Sequence, residues 1–203
     1  MRLYLLGGGG HARVIQDALK TASVTVDAVV DPNKSEASLL GVPVLRENPD
    51  EGRFFVTVGQ VRATAARERI WNEALSAGLR PADALVEASA VVSSEVRLGE
   101  GTVVLAGSYV GPGTTIGQDC IVNHHAVVEH DCAVGDHVHI SPGALIGGGV
   151  RIGHRAHIGM GAILRQGITI GDDVTVGAGA VVIDDVEPGA TVAGVPARPL
   201  ARA

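Results

Sequence analysis

The fold is decided by residues 121–158, which read IVNHHAVVEHDCAVGDHVHISPGALIGGGVRIGHRAHI. Every sixth residue of this stretch, from Val122 to Ile158, is Val or Ile. The period continues in both directions without a miss. Its seventeen positions are all Val, Ile or Leu: Val86, Val92, Leu98, Val104, Val110, Ile116, Val122, Val128, Val134, Ile140, Ile146, Ile152, Ile158, Leu164, Ile170, Val176 and Val182. A hexapeptide period of this kind predicts a parallel β-helix.

Each hexad is expected to supply a short strand and a corner, so that three hexads make one triangular coil and successive coils stack their aliphatic residues. Glycine takes 28 of the 203 residues, which suits tight corners, and only five residues are aromatic, which suits a narrow interior. Pro188 falls where the next aliphatic residue is due. The sequence therefore predicts that the prism ends there and that residues 188–203 form a capping tail.

The segment 1–83 shows a different pattern. Apolar runs at residues 2–6, 24–30 and 54–58 predict buried strands, and the last two end at Asp31-Pro32 and at Gly59. A glycine run at 7–10 precedes helically spaced apolar residues, and residues 61–79 have the pattern of an amphipathic helix. We therefore expect an α/β domain over 1–83, a small Rossmann-like βαβαβ unit, followed by a β-helix over 84–187.

The glycine run carries a nucleotide-binding signal. Gly7, Gly9 and Ala12 match the G-x-G-x-x-A spacing, and Asp31 follows at the distance of the acid that binds a ribose hydroxyl. Because the segment is too short for both halves of a dinucleotide fold, half a nucleotide site is the better prediction. The alternative is a glycine-rich turn that binds nothing.

Charge and composition exclude several classes of protein. The formal charge is −6, from 22 acidic and 16 basic residues, and no basic cluster occurs, so we expect no nucleic-acid or membrane partner. The sequence also lacks a long apolar run or a recognisable signal peptide, so a cytoplasmic location is expected. Cys120 and Cys132 lie two hexads apart, on different faces of the predicted prism, which favours reduced core thiols over a disulfide.

Seven of the eight histidines lie between residues 124 and 157. A neutral imidazole, with a pKa ordinarily about 6.5, is suited to accept a proton near neutral pH. His130 is the notable one, because Glu129 and Asp131 flank it. Adjacent side chains in a strand point to opposite faces, so contact between His130 and either acid requires a corner that turns one back.

The hexapeptide array and its tail, Gly-Val-Pro-Ala-Arg at 194–198, resemble the left-handed β-helix acyltransferases. The opening at 7–12, Gly-Gly-Gly-Gly-His-Ala, and the segment at 123–132, Asn-His-His-Ala-Val-Val-Glu-His-Asp-Cys, resemble the sialic acid O-acetyltransferase family. Within that family, the likeness is greatest to N-acetyltransferases of nucleotide-linked amino sugars, of the bacillosamine and perosamine type. The resemblance implies a left-handed prism, acetyl-CoA as co-substrate and a homotrimer with sites between subunits.

The resemblance also assigns roles. His130 corresponds to the general base, Asp131 to its carboxylate partner, where some members carry Glu, and Asn123 to a polar residue near the acceptor. His139, Met160 and Ala178 correspond to coenzyme A contacts, and the Gly148 N–H corresponds to the donor to the thioester oxygen. The expected contacts to the nucleotide sugar are Gly9, Gly10, His11, Asp31, Pro32 and Gly59.

A metal site is the alternative for the histidines, because β-helical carbonic anhydrases hold zinc with two histidines spaced like His125 and His130. Such a site needs three imidazoles and an open position. Since no histidine lies between His11 and His124, the upstream third ligand is missing. We therefore expect no metal.

These expectations combine into one function, the acetyl-CoA-dependent acetylation of the amino group of a nucleotide-linked sugar, with His130 as general base. A sugar O-acetyltransferase of the same fold and a non-catalytic trimer that binds nucleotide sugars are the alternatives. The sequence leaves open the nucleotide, the sugar and the pathway.

Overall fold

The computed structural model describes residues 2–59 and 65–200. The N-terminal domain is a six-stranded sheet of order β3-β4-β2-β1-β5-β6 with two helices. Its elements are β1 (Leu3–Leu6), α1 (Gly10–Thr21), β2 (Ala28–Val30), β3 (Ser38–Leu39), β4 (Val42–Leu45), β5 (Arg53–Val56), α2 (Ala65–Ser76) and β6 (Arg80–Pro81). All strand pairs are parallel except β3–β4. The prediction of a small Rossmann-like domain is confirmed.

Several boundaries differ from the sequence prediction. The strand expected over 24–30 is only Ala28–Val30, because α1 ends in a turn with Ser23 at φ 58° and the chain is exposed before it re-enters the sheet. The hairpin β3–β4 was not predicted, since it is a partly exposed edge without a clear apolar pattern. Of the helix expected over 61–79, the structure shows α2; residues 60–64 lie outside the described part of the chain.

The β-helix contains seventeen strands of two residues each, paired in parallel with partners three hexads away, as Val103 is with Ile121. They are β7 (Leu85–Val86), β8 (Val91–Val92), β9 (Arg97–Leu98), β10 (Val103–Val104), β11 (Tyr109–Val110), β12 (Thr115–Ile116), β13 (Ile121–Val122), β14 (Val127–Val128), β15 (Ala133–Val134), β16 (His139–Ile140), β17 (Leu145–Ile146), β18 (Arg151–Ile152), β19 (His157–Ile158), β20 (Ile163–Leu164), β21 (Thr169–Ile170), β22 (Thr175–Val176) and β23 (Val181–Val182). The prediction of a left-handed parallel β-helix is confirmed.

The strands form three flat faces. The first face contains β7, β10, β13, β16, β19 and β22, the second β8, β11, β14, β17, β20 and β23, and the third β9, β12, β15, β18 and β21. The second residue of each strand occupies the inward position, and from Val104 to Val182 these residues form the buried core that the six-residue period predicted. At the open end of the first coil, Val86 remains 40% exposed.

Three corners join the faces, and each is defined by a column of residues with positive φ. The first corner, between the first and second faces, has Gly107, His125, Gly143, Gly161 and Gly179 in this column. The second corner, between the second and third faces, has Gly113, Asp131, Gly149 and Gly167. The third corner, between the third and first faces, has Gly101, Asp119, His137, Arg155 and Asp173. The left-handed conformation explains why glycine is frequent in the columns of the first and second corners.

The stack continues past Pro188, so the prediction that this residue ends the prism is wrong. Val186 bridges Ile170, and β24 (Thr191–Gly194) pairs in parallel with β22, which places Val192 beside Val176. These partners lie two positions closer in the sequence than three full hexads would place them, so a shortened coil breaks the period without breaking the stack. The chain then turns back as β25 (Ala197–Pro199), antiparallel to β24.

The N-terminal domain packs against the first face at the start of the β-helix. Val103, Leu105 and Ile121 share a buried apolar cluster with Leu5 and Ile15 of the domain. In the next two coils the outward positions of this face change from aliphatic residues to histidine, at β16 and β19. The domain thereby brings its glycine-rich loop to the place where the surface of the β-helix becomes polar.

Both cysteines are free and buried. Burial raises the pKa of the Cys120 thiol to about 12, so this thiol stays protonated and unreactive at neutral pH. In the described ranges, 2–59 and 65–200, no helix combines the length and apolar character needed to cross a bilayer.

Candidate active site

His130 and Asp131 form a hydrogen-bonded pair on the second corner. Asp131 has φ 58°, and this left-handed turn brings its side chain back beside the preceding residue, so His130 Nδ1 lies 2.8 Å from Asp131 Oδ2. Contact between these two adjacent side chains requires such a corner. Because an ionised carboxylate only accepts hydrogen bonds, the Nδ1 carries the proton and the Nε2 lone pair is left for a substrate. Both side chains are exposed, His130 at 61% and Asp131 at 73%.

Gly148 lies under the imidazole of His130, one coil further along the same corner. A β-carbon on residue 148 would lie 2.6 Å from His130 Nε2, so any larger residue would displace the ring from this position. The N–H groups of Gly147 and Gly149 donate to the carbonyl oxygens of Leu164 and His130. For the Gly148 N–H, no acceptor exists among the described residues. The residue under the His130 ring therefore carries a free donor, which is the kind of group that stabilises an oxyanion.

A second polar group occupies the first face. Asn123 Nδ2 lies 3.0 Å from His139 Nε2, and one coil later Ser141 Oγ lies 3.0 Å from His157 Nε2. The two imidazoles are neighbours, with their planes tilted by 33° and their centroids 5.2 Å apart, and each residue is 7% exposed. Burial lowers the pKa of His157, which favours the neutral imidazole. The involvement of Ser141 and His157 was not predicted, although His157 follows His139 by one coil.

His11, in the N-terminal domain, is the next histidine beside His139. Its ring centroid is 6.5 Å from that of His139. Burial, together with the positive charge of Arg67 and the neighbouring His124, lowers the pKa of His11 to about 3. In the part of the chain that the structure describes, its buried Nε2 atom has no hydrogen-bond partner. A neutral imidazole with an open nitrogen thus lies where the two domains meet.

At the start of α1, the backbone N–H groups of Gly9 and Gly10 have no acceptor among residues 2–59 and 65–200. Gly9 is the N-cap residue and has no side-chain cap, and a β-carbon on Gly9 or Gly10 would meet nothing within 4 Å. Uncapped N–H groups at a helix N-terminus suit a phosphate group. Gly59 closes the other side of the loop, since its β-carbon would lie 3.4 Å from the Cβ of His11.

Asp31 lies at the end of β2 and holds the loop. Its Oδ2 accepts a hydrogen bond of 2.8 Å from the Gly8 N–H, and its Oδ1 accepts one of 2.9 Å from the Asn33 N–H. Asp31 and Pro32 line a groove of about 450 Å³ beside Arg46 and Asn48. Each carboxylate oxygen keeps a lone pair, so the structural role of Asp31 is compatible with binding a ribose hydroxyl.

Met160 and Ala178 stack one coil apart on the first corner, where Met160 is 60% exposed. The expected coenzyme A contacts therefore lie on the first face and first corner, whereas His130 and Gly148 lie on the second corner. Within one chain, the second face separates these two groups. Asn123, expected near the acceptor, lies with His139 and not with His130.

The second face itself is apolar and open. The first residue of each of its strands points outward: Val91, Tyr109, Val127, Leu145, Ile163 and Val181. Val91 is 61% exposed, Leu145 42% and Ile163 41%. A contiguous apolar stripe of this kind is typical of a protein–protein interface.

His125, the other candidate metal ligand, lies on the first corner with its ring over Gly107, away from the second corner that carries His130. Across residues 2–59 and 65–200, no three His, Cys, Asp or Glu side chains are grouped to hold a metal ion.

Comparisons with known families match both parts of the chain. The model for the bacterial transferase hexapeptide (six repeats) matches residues 113–148 and 149–184, and the model for the PglD N-terminal domain matches residues 2–73. A comparison with curated protein sequences found no match.

Solved structures resemble the chain over its whole length. A histidine-to-asparagine mutant of perosamine N-acetyltransferase from Caulobacter crescentus, in complex with CoA and GDP-perosamine, is 36% identical; the match covers 100% of this chain and 98% of that one, with a TM-score of 0.90. The acetyltransferase domain of PglB from Neisseria gonorrhoeae, in complex with acetyl coenzyme A, is 36% identical over 98% of both chains, with a TM-score of 0.88. WeeI from Acinetobacter baumannii is 28% identical over 98% of this chain and 100% of that one, with a TM-score of 0.85.

Proposed function

Since this chain belongs to the bacterial hexapeptide transferases that carry a PglD N-terminal domain, we propose that it transfers the acetyl group of acetyl-CoA to the amino group of a nucleotide-linked sugar. Its relatives of known structure include an N-acetyltransferase with bound CoA and GDP-perosamine and an acetyltransferase domain with bound acetyl-CoA. The observation that carries the proposal for this chain is the His130–Asp131 pair with the open N–H of Gly148 beside it.

In the proposed reaction the neutral sugar amine attacks the thioester carbonyl, and a C–N bond forms. His130 Nε2 accepts the proton that the amine loses, while Asp131 stabilises the imidazolium through Nδ1. The Gly148 N–H donates to the oxyanion of the tetrahedral intermediate. The C–S bond then breaks, and the thiolate of coenzyme A takes the proton back from His130. No acyl-enzyme is formed, because both substrates are bound together.

The N-terminal domain is the proposed nucleotide site. The N–H groups at Gly9 and Gly10 would bind the diphosphate, and the groove at Asp31 and Pro32 would hold the nucleoside. His11 and Gly59 would then contact the sugar where the domain meets the β-helix. Asn123 and His139 offer polar groups on the opposite side of the same junction.

We further propose a homotrimer, which the exposed apolar second face supports. If the second faces of three copies surround a threefold axis, the second corner of each copy meets the first corner of the next, and this contact between different patches closes into a ring. This arrangement would place His130 and Gly148 of one copy against the first corner of its neighbour, with Met160, Ala178 and His139. The second-corner group and the first-corner group, which lie on opposite edges of the second face within one chain, would then form a single site between two copies. The small residues stacked along the first corner would bind the pantetheine arm.

The test is an assay of acetyl transfer with acetyl-CoA and a panel of nucleotide-linked amino sugars, including GDP- and UDP-linked forms. Thiol release should depend on the sugar, and mass spectrometry should show one added acetyl group that survives hydroxylamine, as an amide does. Loss of the acetyl group to hydroxylamine would instead indicate a sugar ester. Binding of the sugars without thiol release would contradict an enzymatic role.

A further inference from the structure

Arg67 is a buried cation that joins the two domains. It lies in α2 and is only 1% exposed. Its Nη1 atom donates to the carbonyl oxygens of Val58 and Val56, at 2.8 and 3.2 Å, where β5 ends. Its Nη2 atom donates to the Asp119 carbonyl oxygen at 3.1 Å and pairs with the Asp119 carboxylate. One guanidinium therefore holds a loop of the N-terminal domain against a corner of the β-helix.

Asp119 also contacts a residue of the next coil of the β-helix. It belongs to the third corner, with φ 51°, and is fully buried. Its Oδ2 lies 2.9 Å from His137 Nδ1 on the next coil, and the His137 ring meets the edge of Trp71 from α2 at a centroid distance of 5.8 Å. A buried charge with this many partners fixes geometry more strongly than it stabilises the fold, because desolvation offsets much of its attraction.

The loop that Arg67 holds leads directly to the proposed sugar site. Val58 is followed by Gly59, which lies against His11, and the His11 ring faces the His139 ring of the β-helix at 6.5 Å. We propose that Arg67 and Asp119 are positioning residues, which set the Gly59–His11 edge of the nucleotide-sugar site at the distance that acetyl transfer requires. This inference rests on the proposed function.

In the proposed reaction, each of the two domains holds one of the two reacting groups. One domain would hold the amine and the β-helix would hold the thioester, so their separation depends on how the domains dock. A misplacement of about 1 Å at the reacting atoms can lower a rate by about 10²-fold without weakening the binding of either ligand. Loss of the Arg67–Asp119 contact should accordingly lower kcat more than it changes either dissociation constant.

The chain offers a matched control in the neighbouring ion pair of the same corner. Arg155 binds both carboxylate oxygens of Asp173 at 2.8 Å and also approaches Glu68 of α2 at 3.5 Å. The Asp173 carboxylate is partly exposed, at 40%, and its partner Arg155 does not bind the Val58 carbonyl as Arg67 does. Asp173→Asn thus removes a carboxylate from the same corner and leaves the contacts of Arg67 in place.

The experiment compares Asp119→Asn, Arg67→Lys and Asp173→Asn in the full-length protein, well below each melting temperature. We expect Asp119→Asn to lower kcat at least 10-fold, with the Kd for acetyl-CoA changed less than twofold and Asp173→Asn near wild type. Arg67→Lys retains the charge and is the milder variant if Asp119→Asn does not fold. Its single ammonium group cannot span both Val58 and Asp119, so it should lower kcat similarly. Normal kcat in the folded variants would overturn the proposal.

Amide hydrogen exchange of the segments 54–59 and 6–13 gives a second measurement, which does not depend on acetyl-transfer activity. Exchange should be faster than wild type in Asp119→Asn and unchanged in Asp173→Asn. If the wild-type protein transfers no acetyl group, the proposed function fails while the exchange data still test the contact. Equal exchange in the two variants would refute the positioning role.

Discussion

Gly148 lies directly under the imidazole of His130, so that a β-carbon on residue 148 would fall 2.6 Å from Nε2. Gly148→Ala should therefore displace the ring and crowd the open N–H. We expect kcat to fall by about 10²–10³-fold, the cost of losing an oxyanion donor together with the alignment of the base. Steady-state kinetics at saturating substrates measure this. Gln166→Ala, one coil further on the same corner and exposed, is the control that should stay within twofold of wild type.

The exposed second face predicts the assembly. Leu145→Asp places a charge in the middle of the apolar stripe, and burying an unpaired charge at an interface is costly. Sedimentation velocity at micromolar concentration should show a trimer for the wild type and smaller species for this variant, with a matching loss of activity. Thr169→Asp, on the exposed third face, should remain trimeric. A fully active wild-type monomer would contradict the shared site.

Asp31 is expected to act on the nucleotide sugar alone. Asp31→Ala removes the acceptor of the Gly8 and Asn33 N–H groups as well as any bond to the ribose, so the Kd for the nucleotide sugar should rise about 10-fold or more. Acetyl-CoA binding should not change. Isothermal titration with each ligand checks this. Equal losses for the two ligands would mean that Asp31 serves only to hold the structure.

The buried His11 should make stability depend on pH. Its pKa in the folded protein is lowered from 6.5 to about 3, so between these values the unfolded chain binds a proton that the folded protein does not. The free energy of unfolding should therefore decrease as the pH falls below about 6.5 toward 3. In His11→Gln this decrease should be smaller, as measured by urea unfolding at pH 7.5 and pH 4.5. His125→Asn, at an exposed corner position, should keep the wild-type slope.

The β-helix could be predicted from the sequence because every coil repeats the same packing problem. Each hexad supplies one short strand and one corner, so one residue in every six points inward. Three hexads make one coil, so each strand pairs with the strand eighteen residues later. The end of the stack could not be predicted in this way. Val186 and Val192 still lie beside Ile170 and Val176, although the last coil is two residues shorter than the others. A search at every sixth residue misses both valines.

The candidate site was predictable only in part. The pairing of His130 with Asp131 depends on a left-handed φ at Asp131, which the sequence could suggest but not establish. The bridge from Arg67 to Asp119 depends on how the N-terminal domain docks, and a contact between residues so far apart in the chain leaves no periodic pattern. The contact of Asn123 with His139 lies within the β-helix and recurs one coil later between Ser141 and His157. A count in steps of eighteen residues misses it, because its partners are sixteen residues apart.

The measurement that tests the account most directly is kcat for His130→Ala beside His125→Asn, at saturating acetyl-CoA and nucleotide-linked amino sugar. Removal of a positioned general base lowers the rate by about 10²–10⁴-fold. We expect a loss of this size for His130→Ala, with acetyl-CoA binding and the trimer intact, and near-normal turnover for His125→Asn. Retention of most of the turnover by His130→Ala, with its loss in His125→Asn, would show that the wrong histidine has been assigned as the base.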